Sequence, residues 1–199
     1  MSVTGVVLAG GRSTRMGKNK AFVEIDGLPM IELIIQRLSL CVDDIIIISN
    51  DPGALASVGH PVFGDLIPGR GPLGGIQSGL VHAPSTPIFF IACDLPFFSV
   101  PLVRYMLELA PRYDVVVPKI GGYFEPTHAC YSKSCLPFIE PILKEDAPRI
   151  IRLYDQVSVR TITEQDASRF GDLNRMFFNI NTPEDLKRAR ALGVRMQQC

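Results

Sequence analysis

The chain lacks an excess of charge of either sign, because its 20 lysines and arginines are matched by 20 aspartates and glutamates. Proteins that attract nucleic acid or an anionic membrane over their whole surface usually carry a basic excess. We therefore expect neither nucleic acid nor membrane as a partner. Any anionic ligand must instead be bound by a local cluster of cations.

Cysteine is sparse and forms no pattern. The five cysteines contain no CxxC pair and no regular spacing: Cys41, Cys93, Cys130, Cys135 and Cys199. Such a set predicts free thiols in a reducing compartment rather than disulfides or zinc ligands. The sequence also shows no signal-peptide pattern and no run of about 20 uninterrupted apolar residues. Together these features predict a cytoplasmic protein.

Histidine is scarcer still. His60, His82 and His128 share no metal-ligand spacing and accompany no serine-nucleophile motif. Each is expected to be structural or exposed rather than catalytic.

Short β-branched runs alternate with amphipathic segments along the chain. Strands are predicted at residues 3–8, 45–48, 87–92, 115–117, 127–131, 157–162 and 177–180, and helices at 30–40, 102–110, 136–143, 148–154 and from 183. This alternation is typical of an α/β fold with a mostly parallel sheet and helices on both faces. Gly121-Gly122 predicts the turn of a small hairpin insertion. We expect one domain over residues 1–199.

A glycine-rich loop follows the first predicted strand, with the sequence LAGGRSTRMGKNK over residues 8–20. Glycines let a backbone approach a ligand closely, and Arg15 and Lys20 place two cations where both can reach one phosphate chain. The loop is not a Walker motif, because five residues separate Gly11 from Gly17 and Asn19 replaces the hydroxyl residue. A flexible basic surface loop is the alternative.

Two aspartates follow predicted strands. Asp94 ends the PIFFIACD run, and Asp65 follows the short apolar piece at residues 61–64. Ligands of parallel sheets bind at the carboxyl ends of strands, and a carboxylate there is suited to Mg²⁺. A helix cap or a solvated turn is the alternative for each aspartate. The glycine pair of GRGPLGG (69–75) would admit a flat purine ring, or would simply join a loop to a helix.

Five segments together resemble the molybdenum cofactor guanylyltransferase family: LAGGRSTRMG-x-x-K, GPLGG (71–75), CDLPF (93–97), EPTHACYS (125–132) and NINTPEDL (179–186). They span about residues 4 to 190. The resemblance implies a Rossmann-like sheet of the nucleotide-diphospho-sugar transferase type. Cytidylyl and sugar-phosphate relatives share the first segment, whereas the last one points to the guanylyl branch.

The resemblance also implies roles for individual residues. It assigns nucleotide binding to Leu8, Ala9, Gly10, Gly11, Lys20, Asp65 and Asp94, catalysis to Arg15, Lys20 and Asp94, magnesium to Asp94, and contacts near the metal or the pterin substrate to Asn179 and Asn181. One departure is visible, since the family often has aspartate where this chain has Asn19. We expect the phosphate contact of Lys20 to survive this change.

The implied activity is transfer of GMP from GTP to the phosphate of molybdopterin, with Mg²⁺ as cofactor and pyrophosphate as the second product. Transient contacts with cofactor-insertion proteins and acceptor molybdoenzymes are expected as well. A cytidylyl- or sugar-1-phosphate nucleotidyltransferase is the nearest alternative. A non-catalytic nucleotide-binding partner is the alternative from another class.

Overall fold

A mostly parallel sheet forms the centre of the protein. The computed structural model describes residues 2–10 and 20–193. The strands are β1 (Thr4–Leu8), β2 (Glu24–Ile25), β3 (Leu28–Pro29), β4 (Asp44–Ile48), β5 (Val62–Phe63), β6 (Ile88–Ala92), β7 (Val115–Ile120), β8 (Tyr123–Phe124), β9 (His128–Tyr131) and β10 (Val159–Ile162). The order is β10-β7-β9-β6-β1-β4-β5, with β8 paired to β7 and a separate β2-β3 pair. Only β9 runs antiparallel within that path, so the predicted α/β architecture is confirmed.

Helices cover both faces of this sheet. They are α1 (Met30–Leu38), α2 (Gly71–His82), α3 (Val100–Leu109), α4 (Leu136–Leu143), α5 (Glu164–Ser168), α6 (Leu173–Met176) and α7 (Pro183–Leu192). Side chains alternate along β1, so Val7 packs into one core with α1 and α3, while Val6 packs into a second core with α2 and α4. The central strands are therefore buried on both sides, which explains their continuous apolar sequences.

The predicted hairpin insertion is confirmed at the end of β7. Gly121 and Gly122 have φ angles of 59° and 83°, and Lys119 pairs with Phe124 across the turn. Positive φ at two successive positions is the requirement of a tight hairpin turn, and glycine meets it without steric cost.

Two predicted elements near the C-terminus differ from the structure. Residues 177–180 do not form a strand; the short helix α6 precedes them, and the Ile180 amide donates to the Asp94 carbonyl at 3.0 Å. The run is apolar because Ile180 is fully buried beside Ile25 and Phe97, not because it joins the sheet. Residues 148–154 contain only a 3₁₀ turn, Ile150–Leu153.

The predicted start of the last helix is confirmed. Thr182 and Asp185 form a reciprocal capping box, with Pro183 at the first helical position. Within residues 2–10 and 20–193, no helix combines the length and apolarity needed to cross a bilayer.

Candidate active site

Three of the predicted site residues meet at one edge of the sheet. The Lys20 ammonium lies 2.9 Å from Asp94 Oδ2 and 2.7 Å from Asn181 Oδ1. Asp94 follows β6 within a tight turn, in which the Leu95 amide donates to the Ala92 carbonyl. The Cys93 amide donates to the Leu8 carbonyl at 3.0 Å, which ties the end of β6 to the end of β1. The strand-end position predicted for this site is therefore observed.

One carboxylate oxygen of Asp94 has no hydrogen-bond partner among the residues that the structure describes. Its side chain is 23% exposed and that of Lys20 is 18% exposed, while Oδ1 of Asp94 is buried and accepts no hydrogen bond from the described residues. A buried carboxylate oxygen normally has a donor or a cation beside it. Carboxylate and amide oxygens, such as those of Asp94 and Asn181, are ligands that hard divalent cations bind.

Asn181 is held by the cap of α7. Asp185 Oδ2 accepts from the Asn181 amide at 3.1 Å and from the Thr182 amide at 2.9 Å. The hydrogen bonds from Thr182 and then Asn181 hold the pKa of the Asp185 carboxyl below its usual value. The side-chain amide of Asn179 donates to the Phe177 carbonyl at 3.5 Å. The contact of Asn179 near the metal or the pterin stays a prediction.

A second polar pair lies where β4 and β5 end. Asn50 Nδ2 donates to Asp65 Oδ2 at 2.7 Å, and the Asp65 amide donates back to Asn50 Oδ1 at 2.9 Å. A Cβ placed on Gly75 would lie 3.7 Å from Asp65 Oδ1 and 3.1 Å from Leu8 Cδ2. Asp65, Gly75 and Leu8 therefore lie close together, and Leu8 occupies the space beside Gly75.

Asn50 is the member of this pair that the sequence analysis missed. The only signal available was its position two residues after a predicted strand, on the edge where ligands bind.

The opening loop is described only at its two ends. The Ala9 amide donates to the Ile48 carbonyl at 2.9 Å, so backbone pairing continues one residue past β1. Gly10 is exposed, and a Cβ added there would meet no atom of the described residues within 4 Å. The predicted site residues Gly11 and Arg15 lie outside the described residues.

Comparison with known proteins identifies the family of this chain. The sequence profile of the MobA-like NTP transferase domain matches residues 5–161. This chain belongs to that family. As a MobA-like NTP transferase it is a nucleotidyltransferase, which confirms the enzyme class predicted from the sequence.

Relatives of this MobA-like chain cover nearly all of it. A probable molybdenum cofactor guanylyltransferase of Pelotomaculum thermopropionicum is 38% identical over 193 residues, 97% of this chain and 94% of the relative. The crystal structure of molybdopterin-guanine dinucleotide biosynthesis protein A from Archaeoglobus fulgidus has a TM-score of 0.83 at 26% identity, covering 95% of this chain and 97% of that one.

A more distant structure shares the fold of the MobA-like chain. Rv0371c from Mycobacterium tuberculosis, described as a complex with manganese, has a TM-score of 0.69 at 16% identity, covering 96% of this chain and 99% of that one.

Proposed function

We propose that this chain transfers GMP from GTP to the terminal phosphate of molybdopterin and releases pyrophosphate. The observation that carries this proposal is the convergence of Lys20, Asp94 and Asn181 at the carboxyl edge of the sheet. The name of the Pelotomaculum relative, which matches almost the whole chain, supplies the substrate class.

The guanine would bind on the β1, β4 and β5 side of the edge. Guanine presents two adjacent N–H donors, and a carboxylate such as Asp65 accepts both. Asn50 holds the Asp65 carboxylate in one orientation through their reciprocal hydrogen bonds. Gly75 lets helix α2 approach Leu8 and the Asp65 carboxylate closely, since a Cβ there would lie 3.1 Å from Leu8 Cδ2. The backbone of residues 8–11 would complete the base site.

Asp94 and Asn181 would hold a magnesium ion, through Asp94 Oδ1 and the amide oxygen of Asn181. Asp94 Oδ1 supports this assignment because it accepts no hydrogen bond from the described residues. Mg²⁺ also prefers one or two protein oxygens together with phosphate oxygens and water. When bound, the ion supplies positive charge to the triphosphate and to the leaving pyrophosphate.

Lys20 and Arg15 would neutralise the phosphates. Two unit charges about 4 Å apart interact by about 4 kcal/mol at an effective dielectric constant of about 20, so facing phosphates repel strongly. Lys20 lies beside Asp94. From there its ammonium would stabilise the negative charge that develops on the phosphates during transfer. The attacking phosphate oxygen is anionic near neutral pH, so the reaction needs no general base.

The test is a pyrophosphate-release assay with purified chain, Mg²⁺, molybdopterin and each of GTP, CTP, UTP and ATP. We expect release with GTP that depends on molybdopterin, with the guanine dinucleotide identified by mass. Asp94→Asn should abolish release, whereas Asp155→Asn, an exposed aspartate remote in sequence, should retain it. Faster release with CTP would favour the cytidylyl alternative, and nucleotide binding without release would favour a non-catalytic partner.

A further inference from the structure

Glu125 and Asp94 lie at the same edge of the sheet, next to the paired strands β9 and β6. Strand β6 pairs antiparallel with β9 from Ile88↔Tyr131 to Ile91↔His128. The Ala92 amide donates to the Thr127 carbonyl at 2.9 Å, which continues the same register by one pair. Asp94 follows Ala92 by two residues and Glu125 precedes Thr127 by two, each in the turn that adjoins its strand. The two residues therefore lie at the same end of the β6–β9 pair.

The backbone alone fixes the turn that carries Glu125. The Glu125 amide donates to the Pro118 carbonyl at 2.9 Å, and the Glu125 carbonyl accepts from the His128 amide at 2.9 Å. Neither bond uses the carboxylate. The turn therefore gives no structural reason for an acidic side chain at this position.

The surroundings of Glu125 disfavour the negative charge of its carboxylate. The residue is half-buried; burial raises the pKa of its carboxyl, and the negative charge of Asp94 raises it further. Over residues 2–10 and 20–193, no side chain or amide donates to this carboxylate. Two like charges at one half-buried edge repel each other. The Lys20 ammonium compensates the charge of Asp94 at 2.9 Å, and a divalent cation would compensate both carboxylates.

We propose that Glu125 is a second acidic residue of the divalent-cation site, acting on the ion through the water that the ion retains. This inference rests on the proposed function, because it assumes that Asp94 binds the ion. Magnesium gives up its water reluctantly, so a carboxylate next to a single direct ligand commonly binds the water shell. Such outer carboxylates orient the direct ligands and tune the affinity for the metal.

The test uses Mn²⁺ as the probe and measures the free ion by electron paramagnetic resonance, with and without a non-hydrolysable GTP analogue. Glu125→Gln should raise the Kd for Mn²⁺ by about tenfold, the lower end of the usual effect of losing an outer carboxylate. Glu125→Asp should have a smaller effect. Glu140→Gln removes the same charge from an exposed site on α4, and it should leave the Kd unchanged within about twofold.

Stability separates this role from a structural one. Without metal, Glu125→Gln should unfold at a temperature no lower than that of the unsubstituted protein, because it removes a like-charge contact. An unchanged Kd for Mn²⁺ in a folded Glu125→Gln variant would overturn the inference about Glu125 and leave the proposed function standing. A Glu125→Gln variant that fails to fold, together with a Glu125→Asp variant that binds Mn²⁺ normally, would do the same. Absence of Mn²⁺ binding to the unsubstituted protein would overturn the inference together with the metal assignment of Asp94.

Discussion

The ammonium of Lys20 lies 2.9 Å from the carboxylate of Asp94, although 74 positions separate the two residues. Both side chains are partly exposed, and ion pairs of this kind contribute only about 0–1 kcal/mol to stability. The fold nevertheless brings the two residues together from the opening loop and from the end of β6. Their juxtaposition is better explained by phosphate chemistry than by stability.

Replacing Lys20 should slow turnover without weakening pterin binding. We expect Lys20→Ala to lower kcat by about 10- to 1,000-fold, the range for losing one charge-stabilising donor. Steady-state pyrophosphate release measures this, with Lys144→Ala as control because Lys144 is exposed at the end of α4. A change confined to the KM for molybdopterin would contradict the phosphate role.

Replacing Asn50 should weaken guanine nucleotide binding by freeing the Asp65 carboxylate. Asn50→Ala removes both hydrogen bonds of the pair, and we expect the Kd for GTP to rise by about tenfold, equivalent to one hydrogen bond of about 1.4 kcal/mol. Thermal shifts with GTP, CTP, UTP and ATP measure affinity and base preference.

The control for this experiment is Asn174→Ala, at an exposed position on α6. Unaltered GTP shifts in Asn50→Ala would remove Asp65 from the base site, since its orientation would then be irrelevant.

Helix α2 approaches the sheet so closely that Gly79 admits no side chain. A Cβ at this position would overlap Cε1 of Phe90 and lie 2.9 Å from Val6 Cγ1. Gly79→Ala should lower the free energy of unfolding by about 1–3 kcal/mol, the usual cost of overpacking, despite the better helix propensity of alanine. Urea unfolding measures this. Gly53→Ala meets only Asp51 Oδ1 at 3.9 Å and should change the free energy by less than about 0.5 kcal/mol.

Stability should fall on acidification because His128 is buried in neutral form. Its ring makes edge contacts with Phe89 and Phe177, and burial lowers its pKa to about 3. Between pH 6.5 and pH 3, His128 is protonated in the unfolded chain and neutral in the folded protein. The stabilisation contributed by neutral His128 is therefore complete above pH 6.5 and decreases as the pH falls.

The size of this loss is measurable. From pH 7 to pH 5, His128 should contribute about 2 kcal/mol to the decrease in the free energy of unfolding. His128→Leu should lack this part of the decrease, as measured by urea unfolding at both pH values. An equal decrease in the free energy of unfolding from pH 7 to pH 5 in the two proteins would mean that His128 is protonated in the folded state.

The parts of the fold that followed from sequence are those with strong local patterns. Strands β1, β4 and β6 are continuous apolar runs because both faces are buried, and the Thr182–Asp185 cap is a local motif. The strand predicted at residues 177–180 was wrong, because an apolar run that is buried against a neighbouring cluster has the same sequence pattern as a strand.

The site was predictable to the extent that its residues stand in motifs. Lys20, Asp94 and Asn181 belong to segments that resemble a known family, and the structure brings these three together. Asn50 lies outside these segments, and Glu125 begins the segment EPTHACYS (125–132), to which the resemblance assigned no role. Their placement beside Asp65 and Asp94 depends on the registers of β4 with β5 and of β6 with β9, which form only in the folded sheet.

The most direct measurement is a crystal structure with Mn²⁺ and a non-hydrolysable GTP analogue. The account predicts an anomalous manganese peak at the Asp94 carboxylate, with the triphosphate within hydrogen-bonding distance of Lys20 Nζ and the base beside Asp65. A triphosphate bound away from both Lys20 and Asp94 would contradict it.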